Sequence, residues 1–341
     1  MPGWGPDPGM QPTLAAHLYG SSEAWTRERA AVFGRAWLFL GHEAEAPEAG
    51  DWIAADIAGH RLVMVRGGDG SLRAFHNVCR HRAGPLVVGE RGSCEGELVC
   101  RYHGWRYALD GRLRSAVGFG PDEGFDPREF GLFGVRLEVW RGLAFVNLDA
   151  DADPLTDIVA PLEGLLGERG LSIAAPALRR SHVLDCDWKV YVENYLEGYH
   201  IGAVHPVLAE ELGGADYRVR VEGEVVVQEA VGLEGGPQAG LWGWLWPNLG
   251  VNAYRDGAMI ERMTPDGPGR TRLDYLYLSD EGPDAVASAI AASERLTAED
   301  ADICAAVQKN LSAGAYDRGV LSPRHETAVG WFQGRIAKVH A

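Results

Sequence analysis

Two short residue pairs limit the folds open to this chain more than any other feature. They are Cys79-Arg80-His81 and Cys100-Arg101-Tyr102-His103, a C-x-H and a C-x-x-H separated by eighteen residues. Thiolate and imidazole are ligands for zinc and for iron–sulfur centres, so two tight pairs imply two loops converging on one metal site. Each pair falls where a strand-like run meets a loop, which calls for a β framework that brings strand ends together. One way to satisfy the pattern is a structural Cys2His2 zinc site, although C-x-H on β loops is not finger spacing. The other is a cluster in which two cysteines bind one iron and two histidines the second, raising its potential above that of an all-cysteine cluster.

The surrounding sequence has the required texture. From about Trp37 to Leu148 short alternating runs are separated by turn signals, including Gly67-Gly68-Asp69-Gly70 between two strand-like runs and Asp110-Gly111 in a hairpin setting. Before it, a Pro/Gly-rich arm (residues 1–13) leads into SSEAWTRERAAVFGRAW, whose Ser cap signal and apolar spacing predict a helix over Ser21–Trp37. The acidic, proline-containing run Asp149–Asp157 marks a domain boundary. Beyond it, strand-like runs (YRVRVEGEVVVQEAV, LWGWLWPNLGVNAYR, AMIERMTP, RTRLDYLYLS) precede two helical stretches, DAVASAIAASERL and TAEDADICAAVQKNL. The expectation is an α+β fold in three parts: an arm and helix (1–36) that pack with the C-terminal domain, an all-β domain (37–148), and a domain with a twisted antiparallel sheet (149–341).

A second cluster lies in VENYLEGYHIGAVHP, which carries Glu197, His200 and His205 ahead of Pro206. On a helix Glu197 and His200 share a face, but His205 would be turned away by about 140°. Pro206 disfavours helix at the residue before it, so the helix is expected to end or distort near Gly202–His205, letting His205 fold back toward His200. Two histidines and a carboxylate form the facial triad of mononuclear Fe(II) oxygenases. Glu197 reads either as a solvated helix face or as a carboxylate that orients a liganding imidazole.

FHNVCRHRAG (Phe75–Gly84), LVCRYHGWRYALDG (Leu98–Gly111), the E-x-x-H-x4-H-Pro pattern and LTAEDADICAAVQKNL together resemble the Rieske non-haem iron oxygenases. The resemblance implies a 2Fe-2S Rieske cluster, with Cys79 and Cys100 on its buried iron and His81 and His103 on the outer one, and a helix-grip catalytic domain. It implies a mononuclear Fe(II) on His200, His205 and Asp300, with Asp302 as the fallback carboxylate. Thr297 and Asp300 also fit a capping-box spacing, so Asp300 has an alternative role as an ordinary helix-cap residue. Asn194 resembles an asparagine near the iron, and an acidic residue at Glu197 implies a bridge from His103 of one subunit to His200 of the next, hence a homotrimer. Many ring-hydroxylating members have Asp at this position; Glu is similar to the quaternary-ammonium oxygenases. The activity implied is hydroxylation or N-demethylation of a small organic substrate with O2. The alternatives are aromatic ring hydroxylation and, from another class, a Rieske electron carrier with a non-catalytic binding domain.

Trp242, Trp244 and Trp246 recur at period two, so on a strand they would share one face, as sheet core or, with Tyr191, Tyr195, Tyr199 or Tyr254, as a cation–π cage for a trimethylammonium group. The Gly-rich spots GGDG and GLEGGPQAG lack a βαβ setting, so NAD(P)H electrons are expected through a separate flavin/iron-sulfur reductase or ferredoxin. A net charge of −16 argues against nucleic acid or anionic lipid as partner. Five cysteines on a chain without a leader-like or membrane-spanning run fit reduced thiols and a soluble, cytoplasmic protein.

Overall fold

A computed structural model describes residues 10–341 except 121–123, 172, 174, 214, 232–240, 255–256 and 285. Most of the N-terminal arm and the GLEGGPQAG run therefore lie outside the described residues. The architecture is α+β, as expected from the sequence. Two compact units are present: one joins the chain up to Val32 to Thr156–Ala341, and the other is Phe33–Leu155.

Helix α1 (Ser22–Ala31) opens the first unit, with the Ser21 hydroxyl accepting from the Ala24 amide at 3.2 Å. It ends six residues before Trp37, because Val32 and Phe33 leave the helix to enter cores.

The Phe33–Leu155 unit is all-β. Strands β1 (Leu38–His42), β2 (Asp51–Ile57), β3 (His60–Arg66), β4 (Leu72–His76), β5 (Arg91–Ser93), β6 (Glu97–Val99), β7 (Arg106–Ala108), β8 (Leu113–Ser115), β9 (Gly134–Trp140) and β10 (Leu143–Asn147) form two antiparallel sheets. Their orders are β1-β10-β9-β4-β3-β2-β5 and β6-β7-β8. The Gly67–Gly70 turn joins β3 to β4 and Asp110-Gly111 joins β7 to β8, as the turn signals predict. Gly111 has φ +88°, and a Cβ there would lie 2.5 Å from the Phe75 ring, so only glycine lets the smaller sheet approach the larger. Trp52, Val63, Val65, Phe75, Leu98 and Tyr107 fill the core between them.

In the other unit α2 (Leu155–Arg169) precedes β11 (Pro176–Leu184), and then come α3 (Trp188–Tyr195), α4 (Ile201–Val204) and α5 (Pro206–Leu212). Strands β12 (Asp216–Glu222), β13 (Val225–Val231), β14 (Leu241–Leu245), β15 (Leu249–Tyr254), β16 (Gly257–Pro265) and β17 (Thr271–Leu278) complete an antiparallel sheet in the order β11-β17-β16-β15-β14-β13-β12. Helices α6 (Ala287–Ser312) and α7 (Thr327–His340) close the chain. The two predicted helical stretches are one helix: Thr297 lies inside α6, its hydroxyl donating to the Ser293 carbonyl one turn back, so neither it nor Asp300 caps a helix start. Two helices escape the sequence pattern, α2 because Pro161 interrupts its periodicity and α7 because glycines and aromatics are spread around it.

A buried ionic cluster ties three of these helices together. Lys189 of α3 is fully buried; its Nζ donates to Glu28 of α1 at 2.9 Å and sits 2.7 Å from Asp187. Glu28 also accepts from Trp188 Nε1 at 2.8 Å and lies 3.0 Å from His340 Nε2 on α7. Lys189→Met should destabilise this unit by about 3–5 kcal/mol, because two acidic groups would stay buried without their cation; urea unfolding followed by circular dichroism measures it.

Candidate active site

The two Cys/His pairs occupy neighbouring loops of the β unit. Cys79 follows β4, and its amide donates to the Gly84 carbonyl at 2.8 Å; Cys100 follows β6, and its amide donates to the Trp105 carbonyl at 2.9 Å. Both sulfurs belong to buried residues, whereas His81 is half-buried and His103 exposed. The two imidazoles are 4.5 Å apart between ring centres, and His81 stacks on Trp105.

The donor set fits a 2Fe-2S cluster. His81 Nδ1 is buried with no hydrogen-bond partner, and a Cβ on Gly84 would come within 2.8 Å of Cys100 Sγ, so the loops leave a space edged by two sulfurs and two ring nitrogens. The two sulfurs lie inward and the His103 imidazole outward. Tyr107 adds a group the sequence pattern does not single out. Its hydroxyl accepts from the Arg80 amide at 3.0 Å and lies 3.1 Å from Cys79 Sγ, so toward a thiolate it can only donate.

The second site forms where the α3 helix stops. α3 ends at Tyr195, ahead of Glu197, earlier than the proline-induced break predicted near Gly202–His205. The Glu197 carboxylate accepts from the amides of Tyr199 and His200, substituting for the carbonyls a continuing helix would provide. A one-turn helix, α4, follows; Pro206 then sits at the first position of α5, where its missing amide costs nothing. His200 and His205 thus flank α4, and α6 delivers Asp300 to them.

Ligand atoms of His200, His205 and Asp300 all lie within 4.8 Å of one another. His200 Nε2 is 3.8 Å and His205 Nε2 3.0 Å from Asp300 Oδ1. The far ring nitrogens are engaged elsewhere: His200 Nδ1 meets Glu197 at 2.7 Å and His205 Nδ1 meets Glu299 at 2.6 Å. Each imidazole is therefore held with Nε2 turned to the common point, the arrangement carboxylate–histidine–metal sites use. Burial disfavours charge on His205, but Asp300 and Glu299 outweigh it and hold its pKa above the usual value. Asn194 Nδ2 donates to Asp300 Oδ1 at 2.7 Å, whereas Asp302 is exposed two residues further along α6. These donors fit a divalent iron: two imidazoles and one carboxylate, with room beside them. Glu299 was missed from sequence; its one signal is adjacency to Asp300.

That room is a cavity of about 700 Å³ lined by residues of α3–α6 and of the sheet face beneath them. Tyr191, Tyr195, Tyr217, Trp242, Tyr254 and Tyr275 contribute to its wall. Of the three period-two tryptophans, only Trp242 reaches the cavity, donating from Nε1 to the Tyr254 hydroxyl at 3.0 Å. Trp244 and Trp246 instead pack on Trp331 and Phe332 of α7, as core. Tyr199 is not among the residues lining the cavity; it is 63% exposed and its ring stacks on His325. Burial also pushes Glu261, on the same wall, up to about 7, against hydrogen bonds from Tyr191 and Tyr275.

Two family models match this chain. Residues 36–121 match the Rieske [2Fe-2S] domain and residues 172–341 the ring hydroxylating alpha subunit (catalytic domain). The carnitine monooxygenase oxygenase subunit of Escherichia coli K12 is 33% identical over 254 residues, 70% of this chain and 67% of that protein. Choline monooxygenase of Arabidopsis thaliana chloroplasts is 29% identical over 332 residues, 90% of this chain and 78% of that protein. Among solved structures, the quaternary ammonium Rieske monooxygenase CntA in complex with L-carnitine superposes with a TM-score of 0.84 at 26% identity, covering 98% of this chain and 97% of that one. Naphthalene 1,2-dioxygenase shares the fold at 22% identity with a TM-score of 0.77, covering 96% of this chain and 92% of that one.

Tyr107→Phe should lower the potential of the 2Fe-2S cluster, since a bond of about 1 kcal/mol to the sulfur stabilises the reduced, more negative state. The expected shift is roughly 40 mV for one electron, read by redox titration of the EPR signal.

Proposed function

This chain belongs to the Rieske non-haem iron oxygenases, and we propose that it oxidises a small quaternary ammonium compound, with hydroxylation or N-demethylation as the outcome. The observation that carries this reading is the aromatic cavity beside His200, His205 and Asp300. A quaternary nitrogen has no N–H to donate, so a site selects it through π faces and charge rather than through hydrogen bonds. The likeness to proteins named for carnitine and choline supports the same substrate class. Trp242 beside Tyr254, with Tyr191 and Tyr195 also on the wall, supplies such faces.

Each site residue takes a distinct part in this reading. Cys79, His81, Cys100 and His103 would hold the 2Fe-2S cluster, and His200, His205 and Asp300 the mononuclear iron. The cluster supplies single electrons, and the iron supplies activation of O2. Glu197 and Glu299 fix the tautomer of the two imidazoles, keeping both Nε2 lone pairs directed at the metal position. Asn194 holds Asp300 by one oxygen, which sets the angle of that carboxylate. The tyrosine and tryptophan rings exclude water and place an alkyl group of the substrate beside the triad.

Electron delivery requires an external donor, which we take to be a reductase or ferredoxin drawing on NAD(P)H, with the enzyme working in the cytoplasm. Exposed His103 and the Glu197 carboxylate paired with His200 support a head-to-tail homotrimer in which one subunit's cluster serves its neighbour's iron. None of the described helices is long and apolar enough to cross a membrane. The reading as a carrier with a non-catalytic binding domain is disfavoured by the convergence of His200, His205 and Asp300, which such a carrier does not need.

A single-turnover assay tests the proposal: reduced holoenzyme is mixed with O2 and a panel of quaternary amines and aromatic hydrocarbons, and products are read by mass spectrometry with formaldehyde release. Oxidation of an amine is expected; oxidation of aromatics alone would overturn the substrate class. His200→Ala should abolish turnover and keep the Rieske EPR signal. Glu197→Gln should keep both metals and slow inter-subunit electron transfer by about 10- to 100-fold, measured by rapid-mixing spectroscopy of cluster oxidation.

A further inference from the structure

The described cavity wall contains one buried carboxyl group to which neither metal binding nor imidazole orientation assigns a task. Glu261 lies on β16, directly across the ladder from Tyr275 on β17. It is 3% exposed and lines the cavity. Tyr191 donates to it at 2.8 Å and Tyr275 at 3.0 Å, and both bonds fall on Oε1. Oε2 has no hydrogen-bond partner among the described residues. Tyr275 is itself fixed by a 2.8 Å contact with Thr297 of α6, so Oε1 is held in place by two anchored rings.

An uncompensated carboxylate is costly in such a place. Of the other acidic groups among the described lining residues, Asp300 belongs to the triad, Glu197 pairs with His200, and Glu211 is exposed on α5. The one lysine or arginine among the described lining residues is Arg295, which is exposed on α6 and makes no ion pair with Glu261. Among the described lining residues no lysine or arginine pairs with Glu261.

We propose that Glu261 is the counter-charge for the ammonium group of the substrate, its free Oε2 facing the bound cation while Tyr191 and Tyr275 hold Oε1. The inference rests on the quaternary ammonium class argued above and adds the residue that makes the cavity select charge as well as shape. Aromatic faces alone attract a trimethylammonium group and a tert-butyl group of equal size to different but modest extents; a buried carboxylate separates them sharply. A glutamine at this position would still accept both tyrosine hydroxyls, so a purely structural role does not require the charge.

The test is anaerobic calorimetric titration of the holoenzyme with choline, γ-butyrobetaine and 3,3-dimethylbutan-1-ol, the uncharged carbon analogue of choline. The wild type is expected to prefer choline or γ-butyrobetaine over the alcohol. Glu261→Gln should weaken the ammonium ligand by about 10- to 100-fold and leave the alcohol unchanged, whereas Glu261→Asp should retain most of the preference. If Gln does not fold, Glu261→Met, of similar length and uncharged, carries the same comparison. Equal loss for Asp and Gln, or an unchanged preference in Gln, would overturn the role of Glu261 and leave the substrate class intact. A wild type with no preference for the cation would overturn the substrate class and, with it, this inference.

Discussion

Two histidines five residues apart cannot face one point from a continuous helix, and the catalytic unit depends on how that helix is stopped. The stop comes from Glu197, whose carboxylate takes the amides of Tyr199 and His200 and leaves α3 to end at Tyr195. Gly198 permits the turn against the Tyr217 ring, where a Cβ would lie 2.5 Å from ring carbons. The same carboxylate then reaches His200 Nδ1, so one side chain both breaks the helix and aims the imidazole that the break releases.

Opposite this break stands α6, which has to be long and continuous for the complementary reason. Gln308 near its end accepts from the Asp187 amide at the start of α3, and Thr297 contacts Tyr275 on the sheet. Those two anchors fix the helix lengthwise, and Asp300 and Glu299, adjacent in sequence, reach the two sides of His205. The triad is thus held by a broken helix and an unbroken one, both resting on the sheet that carries the aromatic wall.

The β unit follows a different logic. Cys79 and Cys100 are sealed within a core of Trp52, Phe75, Trp105 and Tyr107 and His103 is exposed, so a bound cluster would present its imidazole edge, not its sulfurs, to solvent. Burial of the sulfur side would let the Tyr107 hydroxyl, close to Cys79 Sγ, tune the potential of a bound cluster free of competition from water.

Much of this was legible in sequence because it is local. The C-x-H and C-x-x-H pairs, the hairpin turns, the strand runs and the spacing of Glu197, His200 and His205 are short-range chemistry that fixes ligand type and fold class. Identification of Asp300 relied on resemblance, since helical spacing alone also allowed a cap. Contacts made at long range decided the rest. Only the continuity of α6 makes Thr297 interior to a helix, only the path of α7 separates Trp244 and Trp246 from Trp242, and only the sheet register together with the docking of α3 sets Glu261 beside Tyr275 and Tyr191. Periodicity records which face a side chain takes; what stands opposite that face depends on residues roughly a hundred positions away, as with His205 and Asp300.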